Sequence, residues 1–370
     1  MSWLYGILCL IFLIIFHEFG HLIAAKICGV KVESFSVGFG PVLLHKTIKG
    51  TDYRLSLIPL GGYCGLKGEK DFQKALDEKL PEITGEKDSL YGVHPLKRAF
   101  IGFNGPFFNI ILAVIGFWLI NLIGYNYQTY SNQILIPDST TENVSNIAKE
   151  AGMLSGDKII FINDKEVKNF DDIRTEIVQR PDEDLIIKVE RMGEIVEIRL
   201  HSQLDKETGS GKIGIMADTS KVIEVHTPKY NIFTAFGKGI KDTGAMIGLT
   251  YKSIGILFKG VNLKNTVSGP LRTTDMLGST IQTGFSIDAK TGFLSLFEFV
   301  ALISVSLAIM NLLPIPVLDG GLILIAIIEC IFRRKVKPSI QYYIQFIGLG
   351  FILILFIIGL YGDISYFIGK

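Results

Sequence analysis

An apolar run from about Trp3 to Ile27 carries His17-Glu18-Phe19-Gly20-His21 in its second half. Trp3 to Phe16 has no charge, and Leu22 to Ala25 extends the run beyond the quintet. About 20 apolar residues make a helix about 30 Å long, the thickness of a bilayer's hydrocarbon core. Ionisable groups in such a segment are costly and mark a functional site. Histidines four apart stack on one helical face, and the carboxylate beside them can reach a bound metal's water. The plainer alternative is that all three side chains only hydrogen-bond neighbouring helices. It leaves that cost unexplained.

Three further segments have the length of a span: roughly Ala99 to Gly124, Phe293 to Leu313 and Tyr342 to Tyr361. The chain of 370 residues is 48% hydrophobic, concentrated in these blocks, which indicates a polytopic α-helical membrane protein of about four spans. A net charge of +1 gives no reason to expect nucleic acid as a partner. Another apolar stretch, Ile315 to Phe332, follows the third span. One unbroken helix from Phe293 to Phe332 would be about 60 Å long, so it must break, and Pro314 and Pro316 say where. Lys and Arg cluster between spans one and two and again at Arg333, Arg334, Lys335 and Lys337, whereas only Lys370 follows span four. Both basic connections are therefore expected on the cytoplasmic side, with both termini and residues 125–292 outside.

A catalytic zinc commonly takes three protein ligands and leaves a position for water. His17 and His21 supply two, and the best third candidate is Asp319, in Asn311-Leu-Leu-Pro-Ile-Pro-Val-Leu-Asp319-Gly-Gly321. It is a lone carboxylate after the proline break and before two glycines. An Asp there can also cap the helix that begins near Gly321, and the two roles are compatible. His17 lies about 21 Å along span one, and Asn311 about 27 Å along span three, which enters from the other face. Both motifs thus reach similar depth. Glu298, Glu329 and Cys28 are weaker candidates: Glu298 sits at the opposite face, Glu329 is near a basic cluster, and a buried free Cys usually just packs.

These motifs, in this order, resemble the site-2 protease family of intramembrane zinc metalloproteases, in the bacterial branch that includes the regulator-of-sigma-E protease. The similarity covers nearly the whole chain. It implies a zinc ion held by His17, His21 and Asp319, Glu18 as catalytic acid/base, and Asn311 as a residue holding the substrate backbone. Ser36-Val-Gly-Phe-Gly-Pro41 and Tyr53-Arg-Leu-Ser-Leu-Ile-Pro-Leu-Gly-Gly-Tyr63 look like the family's re-entrant β-hairpin, which enters from the cytoplasm; by themselves they are strand-like runs bounded by Gly and Pro. Asn104-Gly-Pro-Phe-Phe-Asn109 and Ser268-Gly-Pro-Leu-Arg272 also resemble family positions, but their chemistry alone suggests only turns.

Residues 128–203 read as an inserted extracytoplasmic α/β module. A turn at 151–157 leads to a strand Lys158 to Ile162, a helix Phe170 to Gln179, and two alternating strands, Leu185 to Arg191 and Ile195 to Leu200. The pattern Ala151-Gly-Met-Leu-Ser-Gly-Asp-Lys-Ile-Ile-Phe-Ile-Asn163 resembles PDZ domains, which bind extended peptides by strand addition. The expected organisation is an N-terminal membrane half (1–127), this PDZ-like domain (128–203), an amphipathic extracytoplasmic linker (204–292) and a C-terminal membrane half (293–370). Between Lys229 and Lys259 that linker reads as a helix on or near the membrane. The resemblance implies a bacterial inner-membrane enzyme acting on transmembrane proteins, such as a pre-cleaved anti-sigma factor, or on signal-peptide remnants. Its lipid bilayer is a further partner, and a peptide at the PDZ-like domain another. A catalytically inactive PDZ-bearing scaffold is the alternative, and it needs neither Glu18 nor metal.

Overall fold

The computed structural model describes residues 2–137 and 145–368, so Lys370 and part of the PDZ-like segment lie outside the described residues. Helix α1 (Ser2–Cys28) is followed by strands β1 (Val32–Ile48) and β2 (Thr51–Leu66), helix α2 (Glu69–Asp77) and helix α3 (Pro95–Ile123). Next come β3 (Asn126–Tyr130), β4 (Ile134–Leu135), α4 (Ile147–Glu150), β5 (Lys158–Ile162), β6 (Lys165–Glu166), α5 (Phe170–Val178), β7 (Asp184–Arg191) and β8 (Glu194–His201). Three two-residue strands, β9 (Gln203–Leu204), β10 (Gly211–Lys212) and β11 (Met216–Ala217), precede β12 (Val222–His226). The remainder is helical: α6 (Ile232–Leu257), α7 (Leu263–Thr266), α8 (Pro270–Ile287), α9 (Ala289–Leu312), α10 (Asp319–Phe332) and α11 (Pro338–Ile368).

Four of these helices, α1, α3, α9 and α11, are long and apolar enough to cross a membrane. The chain is a polytopic helical membrane protein. The chain divides into two compact units: Met1–Ile123, Tyr230–Thr250 and Ser268–Lys370 in the first, Gly124–Lys229 and Tyr251–Val267 in the second.

In the first unit, α1 buries Gly6, Cys9, Leu13, His17, Gly20, Ala24 and Cys28, a stripe at helical spacing of three and four. Lipid is as apolar as leucine, so these helices are held by close packing and polar contacts rather than by escape from water. A Cβ at Gly116 of α3 would come within 2.9 Å of the Phe297 carbonyl oxygen, so only glycine lets α3 and α9 meet there. Cys9 and Leu13 of α1, Leu112 of α3, Leu277 and Ile281 of α8, and Val300 of α9 form one core. A second core joins Leu22, Ala24 and Ala25 of α1 to Val32 and Phe35 of β1 and Ile101 of α3.

Strands β1 and β2 pair as an extended hairpin that is folded over on itself. Ser34, Phe35, Ser36 and Val37 each have two partners, one within Gly62–Gly65 and one within Asp52–Leu55. That segment is therefore central, with residues 62–66 at one edge and 42–48 beyond the other. The fold-over occurs at Gly38, Gly40 and Gly61, all with positive φ, where residues with a Cβ are strained.

The second unit has a four-stranded sheet ordered β6-β5-β7-β8, with α5 contributing to its core. Asn169 caps α5 by accepting from the Asp172 amide at 2.9 Å. Asp157, 2% exposed, accepts two hydrogen bonds of 2.8 Å from the Arg191 guanidinium.

Two expectations are corrected. The segment 204–292 is not one amphipathic linker. Strand β11 pairs with β4 and β12 with β3, within the second unit, whereas α8 packs with α1 and α9 in the first. Strand β11 is too short to show alternation, and the partners of both strands are far away in sequence, so local pattern misses the pairing. The expected helix between Lys229 and Lys259 is present as α6, Ile232–Leu257. Asn104 to Asn109 is not a turn either: it lies inside α3, with Pro106 within the helix. Neighbouring helices compensate for such interruptions in membrane segments.

Candidate metal centre

His17 and His21 face α3 from one side of α1. A Cβ on Gly105 of α3 would lie 2.8 Å from the His17 Cε1 and closer still to the His21 ring. Glycine at this position leaves the space the two imidazoles occupy. Helix α9 ends at Leu312, before Pro314 and Pro316, and α10 starts at Asp319. Between them Val317 has φ +88°, a conformation that a β-branched residue rarely adopts. Leu318 occupies the cap position of α10, so Asp319 is its first helical residue rather than its cap. Its carboxylate points to the histidines.

The Nε2 of His17 lies 3.2 Å from Asp319 Oδ2, and the Nε2 of His21 lies 3.3 Å from Asp319 Oδ1. The two Nε2 atoms are 3.2 Å apart. A tetrahedral ion with bonds of about 2.0–2.1 Å has edges of about 3.3–3.4 Å. The three side chains therefore converge: the two Nε2 atoms stand at the spacing of two corners of a zinc site, and each has one oxygen of the Asp319 carboxylate at that distance. They are the one group of three His, Cys, Asp or Glu found within such reach among the described residues.

The other ring nitrogens are engaged by α3. His21 Nδ1 lies 2.9 Å from the Ile101 carbonyl oxygen, which makes it the protonated nitrogen and leaves Nε2 with a free lone pair. Asn109, fully buried, places its amide 3.2 Å from His17 Nδ1. In that orientation Asn109 Oδ1 is buried without a partner. Turning the amide over lets that oxygen accept Nδ1–H of His17, which satisfies the orphan and presents Nε2 to a metal. Zinc-bound histidines are commonly held in this way. On donor type, spacing and outer hydrogen bonds, the residues fit a zinc ion.

Glu18 and Asn311 line the same cavity of about 460 Å³, together with Ile14, Tyr63, Cys64 and Leu318. The edge segment 62–66 of the folded-over sheet forms one wall. The other sequence candidates lie elsewhere. Cys28 Sγ contacts the Lys97 carbonyl oxygen at 3.9 Å. Glu298 is exposed on α9. Glu329 is buried in an ion pair with Arg98 of α3 rather than with the nearby basic cluster. Gly105 and Asn109 belong to a segment singled out by family resemblance without a role, and nothing in the sequence points to Ile101. A carbonyl leaves no residue-type signal, and a lone Asn beside a Gly-Pro reads locally as a turn.

Comparison with known proteins gives the family. A family model described as peptidase family M50 matches residues 5–355. A protein of Treponema pallidum is 35% identical over 98% of this chain and 98% of its own length. One from Campylobacter jejuni is 33% identical over 100% of this chain and 95% of its own, and one from Helicobacter pylori 34% identical over 97% and 98%. All three bear the name "Putative zinc metalloprotease". With the model match spanning almost the entire chain, the protein belongs to peptidase family M50.

Proposed function

We propose that this protein is an intramembrane zinc metalloprotease that hydrolyses peptide bonds within the transmembrane segments of other membrane proteins. The observation that carries the proposal is the convergence of the His17, His21 and Asp319 ligand atoms within 4.8 Å of one another beside Glu18, within a bundle of apolar helices. His17 and His21 would hold zinc through Nε2, and Asp319 through its carboxylate. A bound zinc supplies Lewis acidity, polarising the scissile carbonyl and making water acidic enough to be deprotonated near pH 7.

Glu18 takes the proton of the attacking water and gives it to the leaving amine nitrogen. A substrate helix hides its carbonyls in its own hydrogen bonds, so it must unwind before it can be cut. The edge segment 62–66 offers a strand for the extended substrate to line up against, and Asn311 holds the substrate backbone from the opposite wall. In this reading the β1–β2 sheet is a re-entrant element entered from the cytoplasm.

The basic connections favour a cavity nearer the cytoplasmic face of a bacterial inner membrane, with both termini outside. The second unit is then an extracytoplasmic PDZ-like module. Its groove, about 360 Å³, runs between α5 and residues 211–216 and would take an extended peptide. Single-span proteins already trimmed outside, such as a pre-cleaved anti-sigma factor, and signal-peptide remnants are the substrates of this class.

The test is cleavage of a model transmembrane peptide by the purified protein in detergent. Glu18→Gln should lower turnover by about 10²- to 10⁴-fold while zinc stays bound, and a chelator should abolish turnover. Unchanged turnover in both would mean an inactive scaffold with a contaminating protease.

A further inference from the structure

We infer that the buried Arg98–Glu329 pair sets the pose of α10 and thereby holds Asp319 against His17 and His21. The inference rests on the reading that these three residues bind the metal. Arg98 stands in the first turn of α3 and Glu329 in the last turn of α10; their side chains are 3% and 2% exposed. Glu329 Oε1 also accepts the Val336 amide at 2.8 Å, and Gln341 of α11 donates to the Val336 carbonyl at 3.1 Å. The turn from α10 to α11 is thus wrapped around one carboxylate.

Helix α10 has Asp319 at one end and this knot near the other. Both ends meet the same stretch of α3. A Cβ on Gly102 would lie 3.4 Å from the Asp319 carbonyl oxygen and 3.1 Å from Ile323. Adjacent Ile101 holds the His21 ring, and Arg98 is one helical turn away. Helix α3 therefore positions both halves of the ligand set: the imidazoles through Ile101 and Asn109, and α10 through Arg98.

Stability alone does not account for the pair. A buried ion pair is often matched by apolar residues of similar volume. Here Arg98 Nε has no hydrogen-bond partner among the described residues, so the guanidinium is incompletely satisfied. What apolar packing cannot supply is direction. A forked donor and a carboxylate resist rotation and sliding of α10, which carries its ligand about 15 Å away along the helix.

The test measures metal affinity rather than proteolysis. The full-length protein in detergent is titrated with Co²⁺, read by its visible absorption bands, and with Zn²⁺ against a chromophoric chelator. Thermal stability is followed in parallel. We expect Glu329→Gln, and the apolar double variant R98M/E329M, to bind each metal about 10- to 100-fold more weakly. The double variant should melt no lower than the wild type, and the reversed pair R98E/E329R should recover part of the affinity. Wild-type affinity and an unaltered Co²⁺ spectrum in R98M/E329M would overturn the positioning role. So would losses in all variants that only follow the fraction unfolded. If the wild type binds no better than Asp319→Ala, the metal site itself is refuted and the pair's role with it.

Discussion

His21 Nδ1 and the carbonyl oxygen of Ile101, 80 positions apart in the chain, are 2.9 Å from each other. The contact orients an imidazole on α1 by a backbone group on α3. The Asn109 side chain, also on α3, does the same for His17, and together the two contacts explain why both histidines present the same nitrogen to Asp319. The second offers a direct test.

Asn109→Leu keeps about the same volume and removes the hydrogen bond to His17 Nδ1. Zinc affinity should fall about 10- to 100-fold, measured by chelator competition, with helix content unchanged. Affinity equal to the wild type would show that His17 needs no such partner.

Asp363 of α11 is fully buried and accepts the amides of Gly269 at 2.8 Å, Leu271 at 2.9 Å and Arg272 at 3.2 Å, at the start of α8. A carboxylate there satisfies orphan amides and meets the positive end of the helix. Asp363→Asn loses the charge and one acceptor, and should destabilise the protein by about 2 kcal/mol, read as a lower midpoint of thermal unfolding in detergent. An unaltered midpoint would leave the α8–α11 contact resting on packing alone.

The second unit should weaken in acid. Burial works against the charged form of Asp157, but the Arg191 fork outweighs it and holds the carboxyl below its usual value. Lys212 beside Asp205 brings that carboxyl down to about 2. Both groups bind protons less readily folded than unfolded. Their stabilisation is therefore complete above the unfolded value, about 4, and is lost as pH falls through the lower folded value. Hydrogen exchange of residues 158–189 in the full-length protein, corrected for intrinsic rates, should quicken as pH falls below about 4. Arg191→Gln should show the faster exchange already at neutral pH. A flat profile into strong acid would remove these carboxylates from the stability of this unit.

Much of this molecule was legible from local chemistry. Each span announces itself because a bilayer demands about 20 apolar residues in a helix, a requirement that the run around Leu13 or Leu353 meets without reference to anything distant. Pro314 and Pro316 mark the break before Asp319 because proline cannot continue a helix. The two histidines four apart, and the isolated Asp319, stand out because charge in an apolar run needs a reason.

What depends on distant partners was hidden. The role of Asn109 exists only because α3 crosses α1 at Gly105, and a residue's own neighbours in sequence carry no trace of that crossing. Glu329 lies next to four basic residues, yet its partner is Arg98, more than two hundred positions earlier. The strands β11 and β12 gain their pairing from β4 and β3 across a whole module. Secondary structure and ligand type follow from short-range sterics and solvation, which are written along the chain. The orientation of each ligand follows from helices that meet through glycines, and only the folded molecule decides which faces meet.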